Sequence, residues 1–180
     1  MWYVVQTTSG REQAAVEKCK KALSRDIAAD LFVPVCQFEK LYQKQWKTVT
    51  ETAFPGYVFI ESAKGEELEK MLRRIADVVT PVCIGGGFYP IRAEEEEVLR
   101  TLMDENDCIR TSVGYLVDEK LIVSQGPLDA FSESVKWINR HKRVAEIEIS
   151  LFNEPRKMWV GLEVKGKMTG EEYKKMLESA

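Results

Sequence analysis

The sequence predicts an α+β protein in two parts. Residues 1–103 read as an antiparallel sheet with packed helices, residues 104–114 as a linker, and residues 115–167 as a small β-barrel; residues 168–180 form a tail with the signature of a short helix. Three observations lead there. Up to Met103, β-branched and aromatic runs alternate with helical apolar spacings in the order β-α-β-β-α-β-α. From Asp104 to Ser112 the chain is polar and unpatterned. Beyond it lie only short β-type runs parted by turn residues. A length of 180 residues accommodates two small domains, at roughly 100 residues or somewhat fewer each.

Each element has its own local reason. Residues 2–7 are aromatic and β-branched, as a strand requires. Ser9 and Glu12 have the spacing of a capping box, and Ala15, Cys19, Ala22 and Leu23 then share one helical face. A second strand is expected over residues 31–38, with Pro34 arguing for an edge or a bulge. Residues 40–51 are polar, basic and alternating, which fits an exposed hairpin or loop. The run Tyr57-Val58-Phe59-Ile60 is the strongest buried-strand signal in the chain.

Leu68, Met71, Leu72 and Ile75 mark a second amphipathic helix, acidic at its start and basic at its end. Val78-Val79 and Val82-Cys83-Ile84 are β-like, and Gly85-Gly86-Gly87 follows as a turn. Val98, Leu99, Leu102 and Met103 define a third helix. In the second part, strands are expected at 120–123, 134–138, 144–150 and 158–164, with turns at Gln125-Gly126-Pro127, at 139–141 and at Asn153-Glu154-Pro155. Thr169 and Glu172 form a capping box ahead of Tyr173, Met176 and Leu177.

Composition narrows the function. With 44% hydrophobic and 31% charged residues the chain resembles a soluble globular protein, and no run approaches the ~18 apolar residues of a membrane span. No secretory leader is visible, so the expected address is cytoplasmic. Cys19, Cys36, Cys83 and Cys108 lie far apart and His141 is the sole histidine, so buried free thiols are expected and no metal site. No nucleophile–base pair or phosphate-cradling loop is present, and no enzyme or cofactor is expected. The formal net charge of −3 conceals a segregation: residues 103–118 carry −3, whereas residues 119–167 carry +2.

Four features are candidate sites. The run Glu94–Glu97 is best read as a solvated, dipole-stabilised helix start. Phe54, Tyr57 and Phe59 either pack the core or present an apolar docking patch, since Tyr57 and Phe59 share a strand face. Lys136, Arg140, Lys142 and Arg143 crowd a hairpin turn beside Trp137, a pattern suited to phosphates and unpaired bases. Arg156 and Lys157 in the next turn extend that patch if the barrel brings the two turns together.

Over nearly its whole length the chain resembles the NusG family of transcription elongation factors. The matching motifs are Trp2-Tyr3-Val4-Val5 with Ser9-Gly10; Phe54-Pro55-Gly56-Tyr57-Val58; Val82-Cys83-Ile84-Gly85-Gly86; and Gly126-Pro127-Leu128 with Phe131 and Val135. The resemblance implies an N-terminal NGN domain that binds the RNA polymerase clamp through an apolar pocket, with Phe54, Tyr57 and Phe59 at the family's positions. It also implies a C-terminal KOW barrel on a flexible linker. Leu151 and Phe152 match the apolar pair by which that barrel meets a ribosomal protein or the Rho terminator.

This chain departs from the pattern in ways that point to a specialised paralogue. Glu133 replaces a glycine of the KOW signature, and Asn153-Glu154 stand where housekeeping members have Gly-Arg, which weakens the expectation of Rho or ribosomal contact. Ala76-Asp77 replace the pair with which some members touch non-template DNA, leaving Arg73 and Arg74 as weaker DNA candidates. The set is similar to LoaP-type antiterminators. The expected function is processive antitermination at particular operons, with the barrel holding a leader RNA hairpin. A general elongation factor, or a KOW RNA-binding protein without polymerase contact, are the competing readings.

Overall fold

A computed structural model describes residues 1–180 and has the expected α+β architecture. Strands β1 (Trp2–Gln6), β2 (Asp30–Phe32), β5 (Tyr57–Glu61) and β6 (Thr80–Pro81) form an antiparallel sheet in the order β2-β5-β1-β6. Both faces of β1 are covered, and alternation assigns its side chains to two cores. Tyr3 and Val5, with Val58 and Ile60, meet Ala15, Val16 and Cys19 of α1 (Glu12–Ala22) and Leu68 and Leu72 of α2 (Gly65–Leu72). Trp2, Val4 and Phe59 enter a second core with Leu99 and Leu102 of α3 (Ala93–Leu102), and that core continues into the barrel.

Several elements differ from the expectation. The strand expected over 31–38 divides at Pro34, which has no N–H to donate and whose carbonyl accepts from Ala53 N (2.8 Å). Beyond it, β3 (Val35–Tyr42) leaves the sheet and forms a hairpin with β4 (Gln45–Thr52). A two-residue turn with positive φ at Gln43 and Lys44 closes this hairpin. Val78-Val79 lie in a turn, not a strand. Ser9 does not cap α1: Glu12 is buried, and its Oε1 instead accepts from Gly10 N (3.0 Å) and Gly56 N (2.6 Å). Cys83 is exposed, while the other three cysteines are buried free thiols.

The segment 104–114, expected as a linker, carries a short strand and hydrogen bonds of its own. Asp104 gathers it, accepting from Asn106 N, Cys108 N and Arg110 Nε, and β7 (Cys108–Ile109) pairs in parallel with β3. The barrel starts earlier than expected, with β8 (Ser112–Val117). It continues through β9 (Lys120–Gln125), β10 (Val135–Asn139), β11 (Val144–Leu151) and β12 (Glu154–Met168) in the order β10-β11-β12-β8-β9. The fifteen-residue β12 serves two partners, antiparallel to β11 and parallel to β8. Gly126 is required at its turn: its φ is 104°, and a Cβ there would lie 2.6 Å from Ser112 Oγ. That hydroxyl accepts from Leu128 N, seating a fully buried Leu128 in the barrel. Helix α4 (Gly170–Glu178) ends the chain behind its Thr169 capping box. No helix is long and apolar enough to cross a membrane.

Candidate functional site

The turn before β5 positions the apolar patch. Gly56, with φ at 85°, donates its N–H to Glu12 and accepts from Thr7 N (2.8 Å), which ties the turn to β1 and α1. Burial alone would raise the Glu12 pKa, but the backbone N–H groups of Gly56, Glu12 and Gly10 together hold it below the ordinary carboxylate value. The clasp is therefore charged at neutral pH. Phe54, 8% exposed and part of the shared core, and the half-buried Tyr57 rise from this turn. Phe59 does not belong to the surface: it is 0% exposed, stacked on Phe32 at 5.5 Å and facing Phe54 at 5.9 Å. It supports the patch from behind, because the middle of β5 lies under both cores.

The barrel covers this patch. The Tyr57 ring packs against Phe152 at 5.3 Å, and the Arg156 guanidinium lies 4.7 Å from the Phe152 ring and 5.8 Å from Tyr57. An open cavity of about 580 Å3 remains beside them, walled by Phe38, Phe54, Tyr57, Met158 and Trp159. Of the expected barrel contact pair, Leu151 is 0% exposed inside the shared core and only the edge of Phe152 reaches solvent. Phe152 and Asn153 both have positive φ, a conformation Asn tolerates better than most residues.

Glu95 fastens the same loop. It is 2% exposed, not solvated as expected, and its Oε1 accepts from Ser150 Oγ (3.1 Å) and Asn153 N (2.9 Å). Its other oxygen accepts from Arg92 N, the amide ahead of α3. A carboxylate from the first domain thus satisfies two donors of the second. No helix-start pattern in the sequence marks Glu95 apart from its three acidic neighbours.

The cationic residues do not form one patch. Arg140 and Lys142 are exposed at the β10–β11 turn and Lys136 near the start of β10; Lys142 N donates to Asn139 Oδ1, and none of the three forms an ion pair. Arg143 points to the first domain, 3.8 Å over the Trp46 ring and 3.5 Å from Glu163. Arg156 and Lys157 pair along β12 with Ile149 and Glu148, towards the other end of β11. They are committed to Glu154 (3.9 Å) and Glu146 (3.2 Å). The two turns are separated because they lie at opposite ends of one strand. Arg73, in the turn after α2, bonds Glu69 at 2.8 Å, and Arg74 has no ion-pair partner beside it.

One surface was missed by the sequence reading. The β3–β4 hairpin brings Lys40, Leu41 and Trp46 to the side of the barrel turn, with Lys44 at its tip and Tyr42 and Lys47 together on its other face. The available signal was two aromatics interleaved with lysines in a stretch otherwise polar. No group of three or more metal-ligating side chains converges anywhere in the chain.

Comparison with known proteins adds to this geometry. The family model described as "Transcription termination factor nusG" matches residues 1–102. The Transcription termination/antitermination protein NusG of Halalkalibacterium halodurans is 25% identical over 158 residues, covering 84% of this chain and 89% of that protein. Its counterpart in Bacillus subtilis is 28% identical over 160 residues, with the same coverage, 84% and 89%. A solved structure concerned with domain interaction in Thermotoga maritima NusG covers 91% of this chain and 93% of its own. It shares the fold at a TM-score of 0.50 and 20% identity.

Proposed function

This chain belongs to the NusG family of transcription termination/antitermination proteins, and from that premise we propose that it is a specialised, LoaP-type antiterminator that works by binding, without catalysis, in the cytoplasm. Its first domain docks on the RNA polymerase clamp through Phe54 and Tyr57, and its barrel holds a structured leader RNA. The observation that carries the RNA assignment is the β10–β11 hairpin: Lys136, Arg140 and Lys142 project into solvent without a carboxylate partner on a chain whose net charge is −3. Unneutralised cations at a protruding turn release counterions from a nucleic acid when they meet its phosphates.

On this reading the clamp and Phe152 compete for Tyr57, so polymerase binding requires the barrel loop to lift away from the first domain. Non-template DNA is a weaker partner, reached by Arg74 and, after it releases Glu69, by Arg73.

The test is binding of the full-length chain to a panel of hairpin RNAs at two salt concentrations. Selective binding is expected, and Arg140→Ala/Lys142→Ala should weaken it about tenfold and reduce the salt slope by roughly two. Equal binding by that variant would overturn the RNA assignment. Loss of polymerase binding on Tyr57→Ala is the matching expectation for the clamp, and retention would remove it.

A further inference from the structure

We propose that the groove between the β3–β4 hairpin and the β10–β11 turn holds an unpaired stretch of RNA, so that the RNA site is built by both domains. The proposal rests on the RNA-binding reading above and adds the first domain to it. The groove has a volume of about 360 Å3 and is lined by Phe38, Lys40, Leu41, Trp46, His141 and Lys142 among others. Trp46 at its hairpin side is 37% exposed, so part of a large aromatic is open to the groove.

Charge argues for a polyanion. Residues 39–47 and 139–143 together carry six formal positive charges and one carboxylate, Glu39; since the whole chain carries −3, everything else carries −8. Two of the six cations are already paired, Lys40 with Glu51 and Arg143 with Glu163, while Glu39 keeps its charge and accepts from Thr48 Oγ1 at 2.7 Å; Lys44, Lys47, Arg140 and Lys142 have no carboxylate partner. Lys44 forms no ion pair, and Lys47 lies 4.9 Å over the Tyr42 ring.

Chemistry then chooses among polyanions. An acidic peptide would use the cations and leave the aromatic faces idle. A fully paired RNA helix is recognised by shape and backbone and likewise has no base to offer them. Unpaired nucleotides use both, because each base presents a face for stacking and each linkage a phosphate. In this assignment a base stacks at Trp46, with His141 across the groove, while Lys142, Arg140 and the hairpin lysines meet the flanking phosphates. Arg143 already occupies part of the Trp46 ring and marks the floor of the site.

The experiment uses the full-length chain and a hairpin RNA with an unpaired pyrimidine loop, against the same helix closed without a loop. Trp46→Ala should weaken binding to the looped RNA about tenfold and leave the loopless helix nearly unaffected, with Trp46→Phe restoring most of the loss. Lys44→Ala/Lys47→Ala, which leaves the Trp46 contact in place, should lower the salt slope by roughly two. If both variants bind like the parent while Arg140→Ala/Lys142→Ala does not, the RNA lies on the barrel alone: this inference falls and the RNA-binding reading survives. If none of the three variants differs from the parent, both fall. Competition by poly-glutamate as strong as that by the looped RNA, at equal charge, would also overturn the proposal.

Discussion

The two ends of β11 meet the first domain in opposite ways. At the Leu151 end, Phe152 lies on Tyr57 and the loop donates to the buried carboxylate of Glu95, beside the open cavity of about 580 Å3. At the Val144 end, an arginine lies on Trp46 beside an open groove edged with unpaired cations. The strand between is eight residues, roughly 24 Å long. One end is therefore a shielded apolar contact that hides the proposed clamp patch, and the other is a solvated cationic one that leaves its residues available. The covalent connection at 108–112 runs beside the base of β3: β7 pairs with Val35 and Cys36, and Thr111 Oγ1 donates to Gln37 O at 2.9 Å.

The comparison can be broken from the inside outward. Phe59→Ala should cost the first domain about 3–5 kcal/mol, because it empties the aromatic cluster beneath the closed end; denaturant unfolding reads this, and a loss under 1 kcal/mol would mean Phe59 is not the support described. Glu95→Ala should weaken docking by about 1–3 kcal/mol, since Ser150 Oγ and Asn153 N lose their buried acceptor. Hydrogen exchange at Asn153 should then quicken while β11 and β12 stay protected; unchanged exchange would show that Glu95 does not hold the loop.

Alkaline pH acts on the β3 base that both ends share. Burial foremost, with nearby Cys108 and Glu51, pushes the Cys36 thiol up to about 12 from its ordinary 9.0. Because the folded value is raised, stability is complete below about pH 9 and falls as pH rises towards 12. The expected loss is about 1 kcal/mol by pH 10, visible in thermal unfolding and diminished in Cys36→Ala. The smallest effect belongs to the cationic end. Arg143→Ala removes a cation–π contact and an ion pair about a quarter exposed, together about 0.5–1 kcal/mol of docking, and salt should erase much of the ionic part. Salt titration of hydrogen exchange separates the ends: Phe152 protection should persist where RNA binding is lost.

How much of this was readable beforehand depended on how local its cause was. Tyr57–Ile60, the helices at 65–72 and 93–102, and the Thr169 cap follow from spacing alone, and all are present. The division at Pro34 was half-visible, since proline signalled an irregularity without saying that the chain would change sheets. The capping assignment for Ser9 failed because Gly56, distant in sequence, supplied a better donor for Glu12. Docking of the two domains was least readable. The unbroken apolar run Trp2-Tyr3-Val4-Val5 signalled a sheet covered on both faces, but helices and aromatics of the first domain already cover Trp2. Glu95 and Trp46 act across that interface, and neither side of it contains a periodic pattern that names the other.

The connection through 108–112 has a kinetic meaning. Only Arg110 and Thr111 separate β7 from β8, so a barrel swung away from the first domain stays within a few residues' reach of its docking face. A tether this short holds the two faces at an effective concentration on the order of millimolar or above. Reclosure is then intramolecular, and a competitor free in solution holds the patch open only where its concentration and affinity together outweigh that local concentration. On the function proposed above, a polymerase transcribing the bound RNA would share the advantage of a tether.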